Sequence, residues 1–123
     1  MESSQQFISR KNQEYTKKKP IKMKDISRKG KHIFEREAWT FMTQHNLEEK
    51  VFVIERLRRI GIEGENTHKY LKAGDVEYRI GYYMIGKNGK VKGKWTWGQY
   101  CPMIPQEDFK KLIDKAIKDK VIS

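Results

Sequence analysis

The sequence predicts an α+β fold with two N-terminal helices, a long β-hairpin and a C-terminal helix. Three observations carry this prediction. Apolar residues recur with helical spacing between residues 33 and 60, alternate between Asp75 and Tyr100, and return to helical spacing after Pro105. The chain of 123 residues suffices for one domain and little more. The hairpin either stands alone or belongs to a larger antiparallel sheet.

Residues 1–30 are expected to form a disordered basic tail. Residues 1–32 contain ten Lys and Arg against three acids, a net charge of +7, and the run Lys17–Lys19 precedes Pro20 without helical or strand periodicity. A segment this polar buries too little apolar surface to offset the entropy lost when it is ordered. Residues 31–123 are then a single small α+β domain.

Two helices are predicted between residues 33 and 60. Apolar residues one and two turns apart define the first helix: Phe34, Ala38, Phe41 and Met42. The second, Leu47–Ile60, follows Asn46 as N-cap with Glu49 at the third helical position, and Gly61 ends it. Its run Val51–Ile54 would also suit a buried strand. The order of two helices and a hairpin makes a winged-helix-like fold the alternative.

The dipeptide Asn88-Gly89 predicts a two-residue hairpin turn, because both residues tolerate the positive φ angles that such turns need. This turn would pair Tyr82 with Trp95 and Ile80 with Trp97. The two tryptophans then belong to the apolar side of the hairpin. We expect them to pack under the C-terminal helix as core residues, and not to serve as stacking platforms.

The C-terminal helix is predicted to begin at Pro105, which suits the first helical position. Glu107 and Asp108 would lie in its first turn, where the helix dipole favours negative charge. Leu112 and Ala116 contribute to its apolar face, and lysines cover the other side.

The opposite side of the hairpin is the predicted binding surface. No acid occurs between residues 79 and 100, and Gly81 and Gly98 would leave backbone accessible to a ligand. Cations neutralise phosphates, and bases stack on tyrosine rings. The candidate nucleic-acid-binding residues on this face and in the tail are Arg79, Tyr83, Lys92, Lys94, Thr96, Tyr100, Lys17, Lys18 and Lys19.

The function predicted from these features is non-enzymatic binding of nucleic acid, either DNA or RNA. The formal net charge of +11 favours a polyanionic partner. One alternative is an adaptor domain that binds an acidic protein. A second is a small nuclease that holds Mg²⁺ with Asp75 and Glu77, two carboxylates on one side of a strand. The sequence contains no motif for a cofactor, and none is expected.

The composition favours an intracellular, cytoplasmic protein that does not enter a membrane. The longest apolar run, Val51–Ile54, is too short to span a bilayer, and the N-terminal residues lack the apolar core of a secretory signal. The lone Cys101 cannot form an internal disulfide, as is common in reducing compartments.

Overall fold

Five antiparallel strands, arranged in the order in which they occur along the chain, form one curled sheet that resembles half a barrel. The computed structural model describes residues 1–24, 30–64 and 72–123. Its elements are helix α1 (Ser4–Tyr15), strands β1 (Ile21–Met23), β2 (Lys31–Gln44), β3 (Leu47–Glu63), β4 (Val76–Ile85) and β5 (Trp95–Trp97), and helix α2 (Gln106–Lys118). The predicted α+β content and the small size of the domain are confirmed.

The prediction of two N-terminal helices between residues 33 and 60 is wrong, and the winged-helix alternative falls with it. The two segments are β2 and β3, the longest strands of the sheet, and His45-Asn46 is the turn between them. The run Val51–Ile54 is fully buried because β3 is the central strand and both of its faces are covered. A strand covered on both faces loses the alternating pattern that would have identified it.

Irregular pairing explains why β2 imitates a helix in sequence. The register between β2 and β3 shifts between Ile33 and Phe34, between Arg36 and Ala38, and between Thr43 and Gln44. Each shift changes which side of the strand the following residues face. Apolar residues along β2 therefore do not keep a period of two, and their spacing matches a helical stripe by coincidence.

The N-terminal segment, for which the sequence predicts a disordered tail, contains helix α1. Helix α1 is capped by Ser3, whose side chain accepts a hydrogen bond from the Gln6 backbone, while the Gln6 side chain accepts one from the Ser3 backbone. Phe7 and Tyr15 of this helix are buried against the sheet. Residues 4–15 are thus an ordered part of the fold, and residues 25–29 of the expected tail lie outside the described residues.

The C-terminal helix forms at the predicted place. It begins at Gln106, one residue later than predicted, so that Pro105 is its N-cap, and Glu107 and Asp108 lie in its first turn. Leu112 and Ala116 are fully buried against the sheet.

Strands β4 and β5 form the predicted hairpin, but with a different turn and register. Residues 86–94, hereafter the lysine loop, contain a single 3-10 turn at Gly89–Val91, and Asn88 has extended backbone. Tyr83 pairs with Trp97 and Ile85 with Trp95, a shift of three residues from the predicted register. An odd shift exchanges the two faces, so the tryptophans share a face with Tyr83 and not with Tyr82.

The sheet therefore has two covered faces. On the first, hereafter the α1 face, Phe7 and Tyr15 pack against Phe41, Val53 and Tyr83. Trp95 and Trp97 were expected as core residues under the C-terminal helix, but they are only partly buried and pack against this cluster on the α1 face. On the opposite face, α2 packs against a second cluster that includes Phe52, Ile54 and Tyr82.

The two helices of the described ranges are short and polar, and neither could cross a bilayer.

Candidate functional site

Tyr83, the predicted stacking residue, is buried in the α1 face. Its hydroxyl lies 2.7 Å from that of Tyr15, and its ring contacts Phe7 and Trp97 at centroid distances of 4.9 and 5.0 Å. Burial raises the pKa of both tyrosine hydroxyls, so the pair stays protonated at neutral pH. A base could reach this ring only if α1 were displaced.

Arg79 of β4 is held by three contacts on the α1 face. Its Nε lies 2.6 Å from Glu55 Oε1, its Nη1 lies 3.3 Å from Met23 Sδ, and its guanidinium stacks 4.8 Å from the Trp97 ring centroid. Burial is the largest single effect and disfavours its charge, but the hydrogen bond to Glu55 and the attraction of nearby negative groups together raise the pKa of Arg79. The contact with Met23 joins β4 to β1 across two intervening strands, as the curl of the sheet allows.

The two glycines expected to expose backbone are filled by neighbouring rings. A Cβ placed on Gly81 would lie 2.4 Å from Cη2 of Trp97, and one on Gly98 would lie 2.2 Å from the Tyr82 ring. Glycine is required at these positions because an aromatic side chain occupies the space. They therefore offer a ligand no open approach to the backbone.

The lysines among the predicted residues are exposed and lie in two separate groups. Lys92 and Lys94 lie in the lysine loop with Lys90, whereas Lys17–Lys19 connect α1 to β1. None of these six side chains forms an ion pair with the residues that the structure describes. Thr96 hydrogen-bonds the carbonyl oxygen of Lys94 at 3.2 Å, and Tyr100 is 82% exposed beyond β5.

The arginines behave differently from these lysines. Within the described ranges every arginine pairs with a glutamate: Arg10, Arg36, Arg56, Arg58, Arg59 and Arg79. The planar guanidinium fork suits such fixed contacts, whereas the lysine ammonium is a mobile point charge. The arginines of the described ranges are thus engaged within the fold, whereas the six lysines named above are free to meet a partner.

The carboxylates considered for Mg²⁺ are engaged with other groups. Glu77 forms an ion pair with Arg59, and Asp75 accepts a hydrogen bond from the Lys72 backbone at 3.0 Å. Across residues 1–24, 30–64 and 72–123, no three His, Cys, Asp or Glu side chains converge as a metal site would require.

A cavity of about 320 Å³ lies beside the predicted residues, and the sequence did not identify it. Strands β1 to β4 all contribute to its walls. Its lining residues are Met23, His32, Phe34, Leu57, Glu77, Tyr78, Arg79 and Ile80. The wall combines apolar and aromatic side chains with a carboxylate and a guanidinium, the composition that small-molecule sites share.

Two groups of ion pairs, each built on a buried side chain, support the polar part of this cavity. Glu55 is fully buried and accepts hydrogen bonds from Arg36 at 2.5 Å and from Arg79 at 2.6 Å. Arg59, equally buried, contacts the His32 ring and pairs with Glu77. Together the two groups contain three guanidinium groups and two carboxylates, an excess of one positive charge. Breaking such a pair is costly, so the side chains are held in place.

Sequence reasoning missed the cavity because four strands bring its residues together. Of its lining residues, the sequence pointed only to Arg79, as a phosphate contact, and to Glu77, as a Mg²⁺ ligand. Alternation along β4 does place these two on the same face, and this would have been the available sequence indication.

Comparison of the chain with protein-family models, with curated proteins and with solved structures finds no match.

Proposed function

We propose that the protein is a non-enzymatic nucleic-acid-binding module that contacts phosphates through the lysine loop and through Lys17–Lys19. The observation that carries this proposal is the set of exposed lysines that lack an ion-pair partner among the described residues. The formal net charge of +11 gives the whole surface a positive potential.

Lysine is suited to this role because phosphate contacts need charge more than fixed geometry. Each ammonium that meets a phosphate releases condensed counterions, and this release drives binding without regard to sequence. The lysine loop offers Lys90, Lys92 and Lys94 within five residues and no acid. Lys87 of the same loop pairs with Glu49 and is not counted among the binding residues.

Tyr100 takes the stacking role first assigned to Tyr83. Its side chain is 82% exposed, and it lies three residues after Trp97, where β5 and the hairpin end. An unpaired base stacks on such a ring with little regard for its identity. Arg79 is withdrawn from phosphate binding because Glu55 neutralises it.

Salt-dependent titration against single-stranded and duplex DNA and RNA tests the proposal. The variant Lys92→Ala/Lys94→Ala should bind more weakly and reduce the slope of log K against log salt, by about 0.7 per lost contact on single strands. The charge-matched control is Lys111→Ala/Lys118→Ala, which removes two exposed lysines of α2. Its slope should stay close to that of the wild type.

The alternative is an adaptor function in which an acidic protein meets the same lysines. Equal weakening in the two double variants would mean that only net charge matters and would contradict an interface at the lysine loop. Absence of binding to all four nucleic acids at low salt would refute the proposal and favour the acidic protein partner.

A further inference from the structure

We propose that the cavity between β1 and β4 binds a single unpaired guanine base. The inference rests on the proposed function in one respect, since a bound nucleic acid is the source of the base. It concerns a different part of the molecule from the lysine loop and can fail independently of it.

The cavity is large enough for one base and for little else. Its volume of about 320 Å³ is at the lower end of the range for ligand sites, roughly 300–1,000 Å³. Met23, Phe34 and Leu57 provide apolar wall that can contact the faces of a flat ring. Tyr78 and Ile80 also border the cavity, but alternation along β4 directs their side chains to the opposite face of the sheet.

The polar groups of the cavity match the two edges of guanine. Guanine presents two adjacent N–H donors, N1 and N2, which one carboxylate can accept together, and its O6 and N7 accept hydrogen bonds from a guanidinium. Glu77 and Arg79 are two residues apart on β4, which separates them by about 6.6 Å along the strand. Each can therefore address a different edge of one purine.

Both side chains are held in position before any ligand arrives. Glu77 is paired with Arg59, and Arg79 is fixed by Glu55 and Met23 through its Nε and Nη1. Nη2 of Arg79 has no hydrogen-bond partner among the described residues and can donate to a ligand. Pre-organised groups of this kind lower the entropic cost of binding.

Three of the lysines named in the proposed function lie close to the cavity in the chain. Lys17–Lys19 precede Met23, a cavity residue, by four to six positions, and the short strand β1 begins at Ile21. A base in the cavity would place its own phosphate within reach of this segment, whereas the lysine loop lies at the opposite end of β4.

Isothermal titration calorimetry with mononucleotides tests the inference. Guanosine monophosphate should bind at least about tenfold more tightly than the adenosine, cytidine and uridine monophosphates, as a bidentate contact discriminates between bases. Inosine monophosphate, which lacks the N2 amine, should fall between guanosine and adenosine monophosphate. Met23→Trp should fill the cavity from its β1 wall and abolish binding. Ile21→Trp is the matched control, because Ile21 is a half-buried residue of the same short strand but does not line the cavity.

A second variant, Glu77→Gln, removes the carboxylate and should abolish the preference for guanosine over adenosine monophosphate. If that variant does not fold because Arg59 loses its partner, Met23→Trp still decides the matter. Equal affinity for the four mononucleotides, or unchanged binding in Met23→Trp, would overturn the inference. The proposed function would survive that outcome if oligonucleotides still bound with the lysine-dependent salt slope. Guanosine monophosphate binding without any oligonucleotide binding would instead refute the proposed function alone.

Discussion

Replacing Phe7 by alanine tests whether α1 is a structural element of the domain. The Phe7 ring is fully buried, stacks on Trp95 at a centroid distance of 4.7 Å, and contacts Tyr83 at 4.9 Å and Phe41 at 6.4 Å. Truncation removes all three aromatic contacts and leaves a cavity between the helix and the sheet. We expect the free energy of unfolding to fall by about 3–5 kcal/mol, as for other buried phenylalanines.

Urea denaturation followed by far-UV circular dichroism measures this loss as a lower transition midpoint with an unchanged m-value. The control is Ser9→Ala, which alters an exposed position of the same helix and should change the stability by less than about 0.5 kcal/mol. A loss below about 1 kcal/mol in Phe7→Ala would refute the reasoning. It would mean that α1 does not dock on the sheet and that residues 1–30 behave as the tail expected from their composition.

Two further predictions concern packing and pH. Gly81→Ala should destabilise the fold by about 1–3 kcal/mol because its methyl group collides with Trp97, whereas Gly61→Ala, where the space is open, should be close to neutral in urea denaturation. In a Trp97→Ala background the Gly81 substitution should cost much less, and an unchanged cost would exclude the collision as its cause. Burial opposes the charge of Asp108, but its hydrogen bonds from His45 prevail and lower its pKa. Its stabilising effect should therefore be complete above about pH 4 and be lost as the pH falls further. Asp108→Asn should flatten this acid loss in urea denaturation series between pH 6 and pH 2, and an equally steep loss would contradict the assignment.

The parts of the fold that the sequence predicts correctly are those whose pattern depends on near neighbours. Helix α2 keeps one apolar face because only one side of it meets the sheet, so Leu112 and Ala116 recur with a helical period. Strands β2 and β3 are different because helices cover both faces of the sheet, and Val51–Ile54 then carries no period at all. The distinction between a buried strand and a helix required knowledge of the packing.

Helix α1 was missed although its sequence contains an indication of a helix start. Ser3 and Gln6 have the spacing of a capping box, and Phe7 and Tyr15 are eight residues apart, which places them on one side of a helix. The high content of polar residues outweighed these features. The cavity could not be predicted from the sequence for a different reason. Its walls come from four strands, and only the curl of the sheet brings them together.

Contacts of helix α1 with β4 and β5 determine when the domain can be completed during synthesis. Helix α1 leaves the ribosome before every strand of the sheet, yet its partners Tyr83 and Trp95 are translated some 70 to 90 residues later. The Trp95 indole also donates a hydrogen bond to the carbonyl of Glu2 at 3.0 Å. The hairpin of β2 and β3 needs only a two-residue turn and can form long before. The nascent chain therefore carries a helix whose apolar side has no complete docking surface until β5 emerges, and Phe7 is available to chaperones throughout that interval.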